Sequence, residues 1–176
     1  MTASCTHVKH TYSVDYLGVS WGRTVRISTK GDYATRALQE LALHYNHGPI
    51  PIETIAQRQT LPARYLEQLL LTLKRAGLVA SKRGVNGGYY LAKPPREISL
   101  GQILRTVDGP IAPIFCVAET PQEACAQESL CVLREVWTEV RDAMAAIVDN
   151  TTLADICERI QAKSIMPVSP MHPGGS

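Results

Sequence analysis

The order of elements between residues 49 and 92 constrains the fold more than any other feature of the sequence. A short helix is predicted after Pro51, and a second begins near Pro62 and stops at Gly77, a residue typical of the position after a helix end. The strand-like runs LVAS and YYLA then flank the turn KRGVNGG, which indicates a β-hairpin. Two helices joined by a tight turn form a helix-turn-helix, and a hairpin directly after them completes a winged helix. We therefore predict a mainly α protein with a small β-hairpin wing.

Further helices flank this unit. Ser28 is a good N-cap for a first helix that stops at Gly48, and Ser99 with Gln102 forms a capping box for a helix after the hairpin. In the helix that begins near Pro62, four leucines share one face and are predicted to point inward: Leu66, Leu69, Leu70 and Leu73.

A long helix is predicted over residues 129–150. Its apolar residues recur at alternating spacings of 3 and 4, which is the seam of a coiled coil: Leu130, Leu133, Trp137, Val140, Met144 and Ile147. A narrow stripe of this kind packs on its own domain or on a second copy of the chain. We favour a homodimer through Leu133, Trp137, Val140 and Met144, because two-fold symmetry suits paired DNA half-sites. Thr152 and Asp155 then cap a short closing helix.

The chain is accordingly predicted to fall into five segments. They are a disordered leader (1–24), the winged-helix domain (25–110), a cysteine-bearing loop (111–128), the dimerisation and closing helices (129–162) and a disordered tail (163–176).

Charge is distributed unevenly along the chain although the net charge is only +2. Residues 23–96 hold twelve Lys/Arg against four Asp/Glu, and residues 97–163 hold five against eleven. The first segment therefore predicts a basic surface for a polyanion, which in a winged helix is double-stranded DNA. No nucleophile–base pair, nucleotide loop or paired-carboxylate site indicates an enzyme. No apolar run is long enough for a membrane span and no secretory signal is recognisable, so we expect a cytoplasmic protein.

Three of the five cysteines are clustered, with Cys116, Cys125 and Cys131 spaced as C-x8-C-x5-C. Clustered thiols in a reducing compartment indicate metal binding or redox chemistry rather than disulfides. Structural zinc favours closer cysteine pairs, whereas three thiolates on a wide loop suit an iron–sulfur cluster, either 2Fe–2S or 4Fe–4S. Cys131 is predicted in the first turn of the long helix, whose dipole favours the thiolate for metal binding and redox reactivity alike. The cluster is favoured over bare redox thiols, zinc, or a loop that has lost its metal.

The segment VRISTKGDYATRALQELA, the run YLEQ, the pattern GLV-x-S-x-RG-x-x-GGY and the cysteine loop together carry a family likeness. Over about residues 25–160 the chain resembles bacterial winged-helix regulators typified by the iron–sulfur cluster assembly regulator and the nitric-oxide-sensing repressor. The resemblance implies a DNA-binding repressor that senses iron, cluster status, or redox or nitrosative stress. The alternatives are the same fold with a thiol sensor and no cofactor, and a winged helix that docks another protein.

The resemblance also implies which residues contact DNA. The helix from Pro62 would enter the major groove with Arg64, Glu67 and Gln68 facing bases. These side chains suit guanine, the cytosine amino group and adenine, respectively. At the hairpin tip, Arg83 beside Gly84, with Lys82 next to it, suits a narrow and electronegative minor groove.

The fourth cluster ligand is the point at which the sequence departs from one branch of the family. The assembly regulators have a histidine at the position of Arg134, which cannot ligate iron. In the nitric-oxide-sensing branch an aspartate of the other subunit takes this role, and Asp32 stands at its position. A carboxylate that stabilises a helix N-terminus is an equally good local interpretation of Asp32. His44 and His47 are weaker candidates.

Overall fold

The computed structural model describes residues 27–118 and 131–165. Its regular elements, in chain order, are α1 (Thr29–Leu43), α2 (Ile52–Gln59), α3 (Ala63–Arg75), β1 (Val79–Lys82), β2 (Gly88–Leu91), α4 (Leu100–Asp108), α5 (Val132–Asp149) and α6 (Leu153–Ile165). The predicted mainly α fold with one hairpin is confirmed. The predicted leader, Cys125 and most of the predicted tail lie outside the described residues. None of the described helices is long and apolar enough to cross a membrane.

The helix starts follow the capping residues of the sequence. The Ser28 hydroxyl accepts a hydrogen bond from the Gly31 amide at 3.1 Å, and the Ser99 hydroxyl accepts one from Gln102 at 3.1 Å. At α6 the cap is reciprocal, because the Asp155 carboxylate accepts from the Thr152 amide at 2.7 Å while the Asp155 amide donates to the Thr152 hydroxyl at 3.2 Å. Each cap satisfies amides that the helix itself leaves without partners.

The core forms where α1, α2, α3, α4 and α6 meet. Its fully buried side chains include Leu38, Ile55, Ile103 and Leu153, each from a different helix. The four leucines of α3 that were predicted to point inward are all buried. Because burying one such side chain contributes about 1.5–3 kcal/mol, this shared core fixes α3 firmly against α1 and α4.

The wing is an antiparallel hairpin with Val79 opposite Leu91 and Lys82 opposite Gly88, so residues 83–87 form its tip. Ile50, which precedes α2, pairs with Tyr89 through two backbone hydrogen bonds of 2.9 and 2.8 Å. At Gly88 an added Cβ would lie 2.3 Å from the Ile50 carbonyl oxygen, so this approach requires glycine. The wing is therefore tied to the start of the helix-turn-helix.

Helix α5 differs from the rest, because none of its residues is buried. Arg105 of α4 holds its C-terminal end through an ion pair with Asp149, with Nη1–Oδ1 at 2.5 Å. The prediction that Cys131 lies in the first turn was wrong by one position. Cys131 has extended dihedral angles and is the N-cap, so the helix begins at Val132.

Candidate nucleic-acid interface and thiol segment

The outward face of α3 carries the residues expected to contact bases. Arg64, Glu67 and Gln68 are all exposed, whereas the leucines of the same helix are buried. At about 100° per residue, these three side chains cluster on the side opposite the buried leucines. None of the ion pairs among residues 27–118 and 131–165 engages them. The face therefore presents two long donors and one carboxylate to solvent.

The wing adds exposed positive charge beside this face. Lys82, Arg83 and Gly84 are exposed, and Gly84 has a φ of 110°, a conformation that suits glycine at the hairpin tip. The Lys74 ammonium of α3 donates to the Ser81 hydroxyl of β1 at 2.6 Å, which joins the two elements. Lys74, Lys82 and Arg83 also line a cleft of about 520 Å³ between the hairpin and α2. The basic surface expected from the charge distribution thus includes the wing and the end of α3.

A buried carboxylate, which was not predicted from the sequence, holds the turn between α2 and α3. Glu40 of α1 is only 4% exposed. It accepts hydrogen bonds from Arg58 Nη1 and Gln59 Nε2, both at 2.8 Å, at the end of α2. The signal was an acidic residue within the apolar stripe of α1, between Ala37 and Leu41.

The pKa of Glu40 reflects two opposing causes. Burial raises it, but the hydrogen bonds from Arg58 and Gln59, together with the charges of His44 and Arg58, outweigh burial and lower the pKa below its ordinary value. Glu40 is therefore ionised at neutral pH. His44, considered as a metal ligand, instead places Nδ1 3.3 Å from the Glu40 carboxylate and Nε2 2.8 Å from Arg58.

Two further contacts connect the start of α1 with the helix-turn-helix. The ring of Tyr33 meets that of Tyr65 edge-on, with centroids 5.8 Å apart, next to Arg64 on α3. Arg36 donates a hydrogen bond to the Gln59 carbonyl. Arg36 also lies 3.8 Å from the Asp32 carboxylate, which is exposed. Asp32 therefore sits on the same end of α1 that contacts α3.

The two predicted thiol ligands within the described residues lie on two segments whose contact is at Arg141, ten positions after Cys131 along α5. Cys116 is in a short 3-10 turn (Phe115–Val117), Cys131 occupies the N-cap position of α5 without a side-chain capping hydrogen bond, and both are partly buried. Arg141 of α5 donates to the Val117 carbonyl at 2.9 Å, which holds the turn against the helix. Thiolates are the donors that iron–sulfur clusters require, so these residues fit that chemistry.

Within residues 27–118 and 131–165, no group of three His, Cys, Asp or Glu side chains is arranged to hold a metal ion. The predicted set is thus not brought together by the described residues alone, since Cys125 lies outside them and Asp32 was expected to act across a dimer. Cys157, the other thiol in the described residues, lies in α6, where burial raises its pKa. A thiol kept protonated in this way is a poor metal ligand.

The seam of α5 is exposed to different degrees. Leu133 and Ile147 are 62% and 69% exposed, whereas Trp137, Val140 and Met144 are partly buried. Met144 lines a small cavity with Leu104 of α4, so the middle of the stripe faces the chain's own domain and the apolar surface is open mainly at Leu133 and Ile147.

Comparison with known proteins gives a consistent family. The sequence profile of Rrf2, described as an iron-dependent transcriptional regulator, matches residues 27–159. The chain is 42% identical to the transcriptional regulator CymR of Bacillus subtilis over 132 residues, which cover 75% of this chain and 89% of the relative. It is 41% identical to an rrf2-like transcriptional regulator of Rhodobacter capsulatus over 136 residues, which cover 74% and 91%.

Solved structures agree with the sequence relatives. The structure of CymR, the global cysteine regulator of B. subtilis, matches with a TM-score of 0.63 at 40% identity and covers 76% of this chain and 97% of its own. IscR of T. potens matches with a TM-score of 0.65 at 35% identity, covering 82% and 93%. These relatives are regulators rather than enzymes, and their fold includes the helix-turn-helix and wing described above. The chain belongs to the Rrf2 family of winged-helix, DNA-binding transcriptional regulators.

Proposed function

We propose that this protein is a homodimeric transcriptional repressor that reads a palindromic operator and senses iron, cluster status, or redox or nitrosative stress through a cysteine-ligated iron–sulfur cluster. The observation that carries the proposal is the position of the Cys116 turn. It is bonded to α5 through Arg141 and Val117, and it leads from the winged-helix domain to the helix expected to form the dimer.

In this proposal, α3 and the wing contact the bases of the operator. Arg64 suits a bidentate contact with guanine, Gln68 a bidentate contact with adenine, and Glu67 the amino group of cytosine. Arg83, beside Lys82 and Gly84 at the hairpin tip, suits the narrow minor groove of an A·T-rich step. The absence of ion pairs at these side chains among the described residues supports this assignment, because no internal bond has to break first.

In this proposal, α5 forms the dimer interface. The helix buries none of its residues in the single chain, yet Leu133, Trp137, Val140 and Met144 form one stripe along it. A second copy related by two-fold symmetry buries that stripe against itself and sets two α3 helices at a fixed separation. The sensor turn touches the same helix, so changes at the thiols act on the element that fixes this separation.

The cluster would be held by Cys116, Cys125 and Cys131, with Asp32 of the partner subunit as the remaining ligand. When bound, such a cluster supplies a group whose stability depends on iron, oxygen and nitric oxide. The chain's own residues transmit the change. Val117 is buried in the domain while its carbonyl accepts the Arg141 hydrogen bond, so a turn that moves on loss of a ligand pulls on α5.

Protein purified without oxygen tests the sensor directly by its visible spectrum and its iron and sulfide content. We expect a chromophore that is lost in each of Cys116→Ala, Cys125→Ala and Cys131→Ala and retained in Cys157→Ala, the matched control. A colourless wild-type protein whose DNA affinity responds to peroxide would instead identify a thiol sensor without cofactor.

Mixed dimers test the fourth ligand. If Asp32 acts across the interface, a protomer carrying Asp32→Ala damages the cluster held by its partner's cysteines and leaves its own cysteine site intact. If the cluster of the Asp32→Ala homodimer had a normal spectrum and lifetime, Asp32 would not be a ligand. It would then only stabilise α1, through the helix N-terminus and its ion pair with Arg36.

A further inference from the structure

Leu71 is an apolar side chain on the polar face of the recognition helix. It is 48% exposed, whereas the other four leucines of the helix, Leu66, Leu69, Leu70 and Leu73, are at most 5% exposed. At about 100° per residue, Leu71 points only about 20° away from Arg64 and about 150° away from the centre of the buried face. It therefore lies on the same side of the helix as Arg64, Glu67 and Gln68, about one turn beyond Gln68.

The chemistry of the major groove limits which groups on DNA a leucine side chain can contact favourably. Base edges there present hydrogen-bond donors and acceptors, and the exception is the C5-methyl group of thymine. A leucine over a polar edge would remove water from it without replacing the hydrogen bond, which is unfavourable. A leucine over the thymine methyl buries two apolar surfaces at once.

We propose that Leu71 is a specificity-determining residue that recognises a thymine through its C5-methyl group. The proposal rests on the assignment of α3 as the DNA-reading helix. With a rise of about 1.5 Å per residue, Leu71 lies roughly 4.5 Å along the axis from Gln68. The stacking distance in DNA is about 3.4 Å, so the thymine belongs to the same half-site, within about two base pairs of the base that Gln68 contacts.

Deoxyuridine substitution tests the contact. Operators are first selected from a random DNA pool with the wild-type protein, and each thymine of one half-site is then replaced in turn by deoxyuridine. This base keeps the pairing and the minor-groove edge and lacks only the methyl group. At one position we expect binding to weaken about fourfold, the value for exposing one methyl group. In Leu71→Ala the thymine and deoxyuridine operators should bind equally.

Two further variants control this result. Leu71→Met keeps an apolar side chain of similar volume and should retain most of the preference for thymine. Val85→Ala removes an exposed apolar side chain at the hairpin tip and should leave the thymine/deoxyuridine ratio unchanged, because the methyl group lies only in the major groove. Since Leu71 is half-exposed and alanine favours helix, thermal unfolding of Leu71→Ala should match that of the wild type.

The proposal is overturned if no deoxyuridine in the half-site weakens binding, or if the preference for thymine persists in Leu71→Ala. Gln68→Ala separates this failure from that of the proposed function. A changed base preference in Gln68→Ala with no methyl effect removes the role of Leu71 alone. Unchanged preferences in Gln68→Ala, Arg64→Ala and Leu71→Ala together would remove α3 as the reading helix.

Discussion

Loss of Arg58 should destabilise this protein more than loss of the charge on Glu40, although the two residues form one ion pair. Their nitrogen and oxygen are 2.8 Å apart. The side chain of Glu40 is 5% exposed and that of Arg58 is 48% exposed. When one partner is removed, the other must be hydrated, and only Arg58 is accessible to water.

The magnitudes follow from these exposures. Arg58→Ala removes a hydrogen bond to a charged group, worth about 1.5–3 kcal/mol, from a carboxylate that water cannot reach. The exposure of Arg58 screens the ionic part of the bond, so we expect a loss of about 2 kcal/mol. Glu40→Gln keeps the shape and can still accept from Arg58, and we expect a loss of about 1 kcal/mol. In the Glu40→Gln background, Arg58→Ala should cost less than about 1 kcal/mol.

Urea unfolding at pH 7 measures all four members of this cycle, at one protein concentration because the stability of the proposed dimer would depend on concentration. Arg75→Ala is the matched control, since Arg75 is exposed at the end of α3 and its removal should change the free energy of unfolding by less than about 0.5 kcal/mol. If Arg58→Ala behaved like Arg75→Ala, or if the two changes at Glu40 and Arg58 were additive, the carboxylate would not be holding the turn.

The pH dependence of the same pair has a definite sign. The pKa of Glu40 is lowered from its ordinary 4.5, because Arg58, Gln59 and His44 outweigh the effect of burial. A lowered pKa in the folded state means that the carboxylate stabilises the protein above its unfolded-state pKa and loses this contribution as pH falls through the folded value. The difference in stability between wild type and Glu40→Gln should therefore be full at pH 7 and decline below about pH 4.5. A difference that grows on acidification would refute the reasoning.

Three other predictions concern the dimer, the reading residues and the closing helix. Trp137→Glu should sediment as a monomer at low concentration, whereas a persistent dimer would mean that the seam packs on its own domain. Gln68→Ala should relax base preference, and Arg83→Ala should weaken binding mainly at A·T-rich steps under the wing, each by about 1–3 kcal/mol in selections from a random pool. Hydrogen bonds from the Thr152 amide and hydroxyl lower the pKa of Asp155, so the stability lost in Asp155→Asn at neutral pH should shrink on acidification in urea titrations.

The helix-turn-helix is predictable from the sequence because the residues that set its helix ends and its buried face are close together in the chain. Pro62 and Gly77 bound a helix whose leucines repeat with the helical period, and the structure begins and ends α3 within two residues of them. Ser28 and Ser99 likewise marked the caps of α1 and α4, because a capping hydrogen bond spans only three residues.

The contact between Glu40 and Arg58, which holds the turn between α2 and α3, could not be predicted in the same way. Glu40 and Arg58 are 18 residues apart, and only the packing of α1 on α2 brings them together. The boundary at Cys131 depends on a backbone angle that cysteine does not determine, so the predicted start of α5 was displaced. The surface that covers the apolar stripe of α5 could not be predicted from the local sequence either. The periodicity of the apolar residues reveals the stripe but not its packing partner.

Helix α1 connects the helix-turn-helix with Asp32, the residue proposed as a cluster ligand. Asp32 stands in its first turn, Tyr33 packs on Tyr65 beside the base-reading face, and Glu40 holds the end of α2. Asp32 and Glu40 are eight positions apart, about 12 Å along a rigid helix. Tyr33 and Glu40 lie on the same rigid helix as Asp32. A tilt of α1 that starts at Asp32 must therefore either move the α2–α3 turn and α3 with it or break the contacts of Tyr33 and Glu40. The hydrogen bond from Arg58 to the buried Glu40 carboxylate makes breaking them costly, so joint movement of α1 and α3 is the favoured response to a change at Asp32.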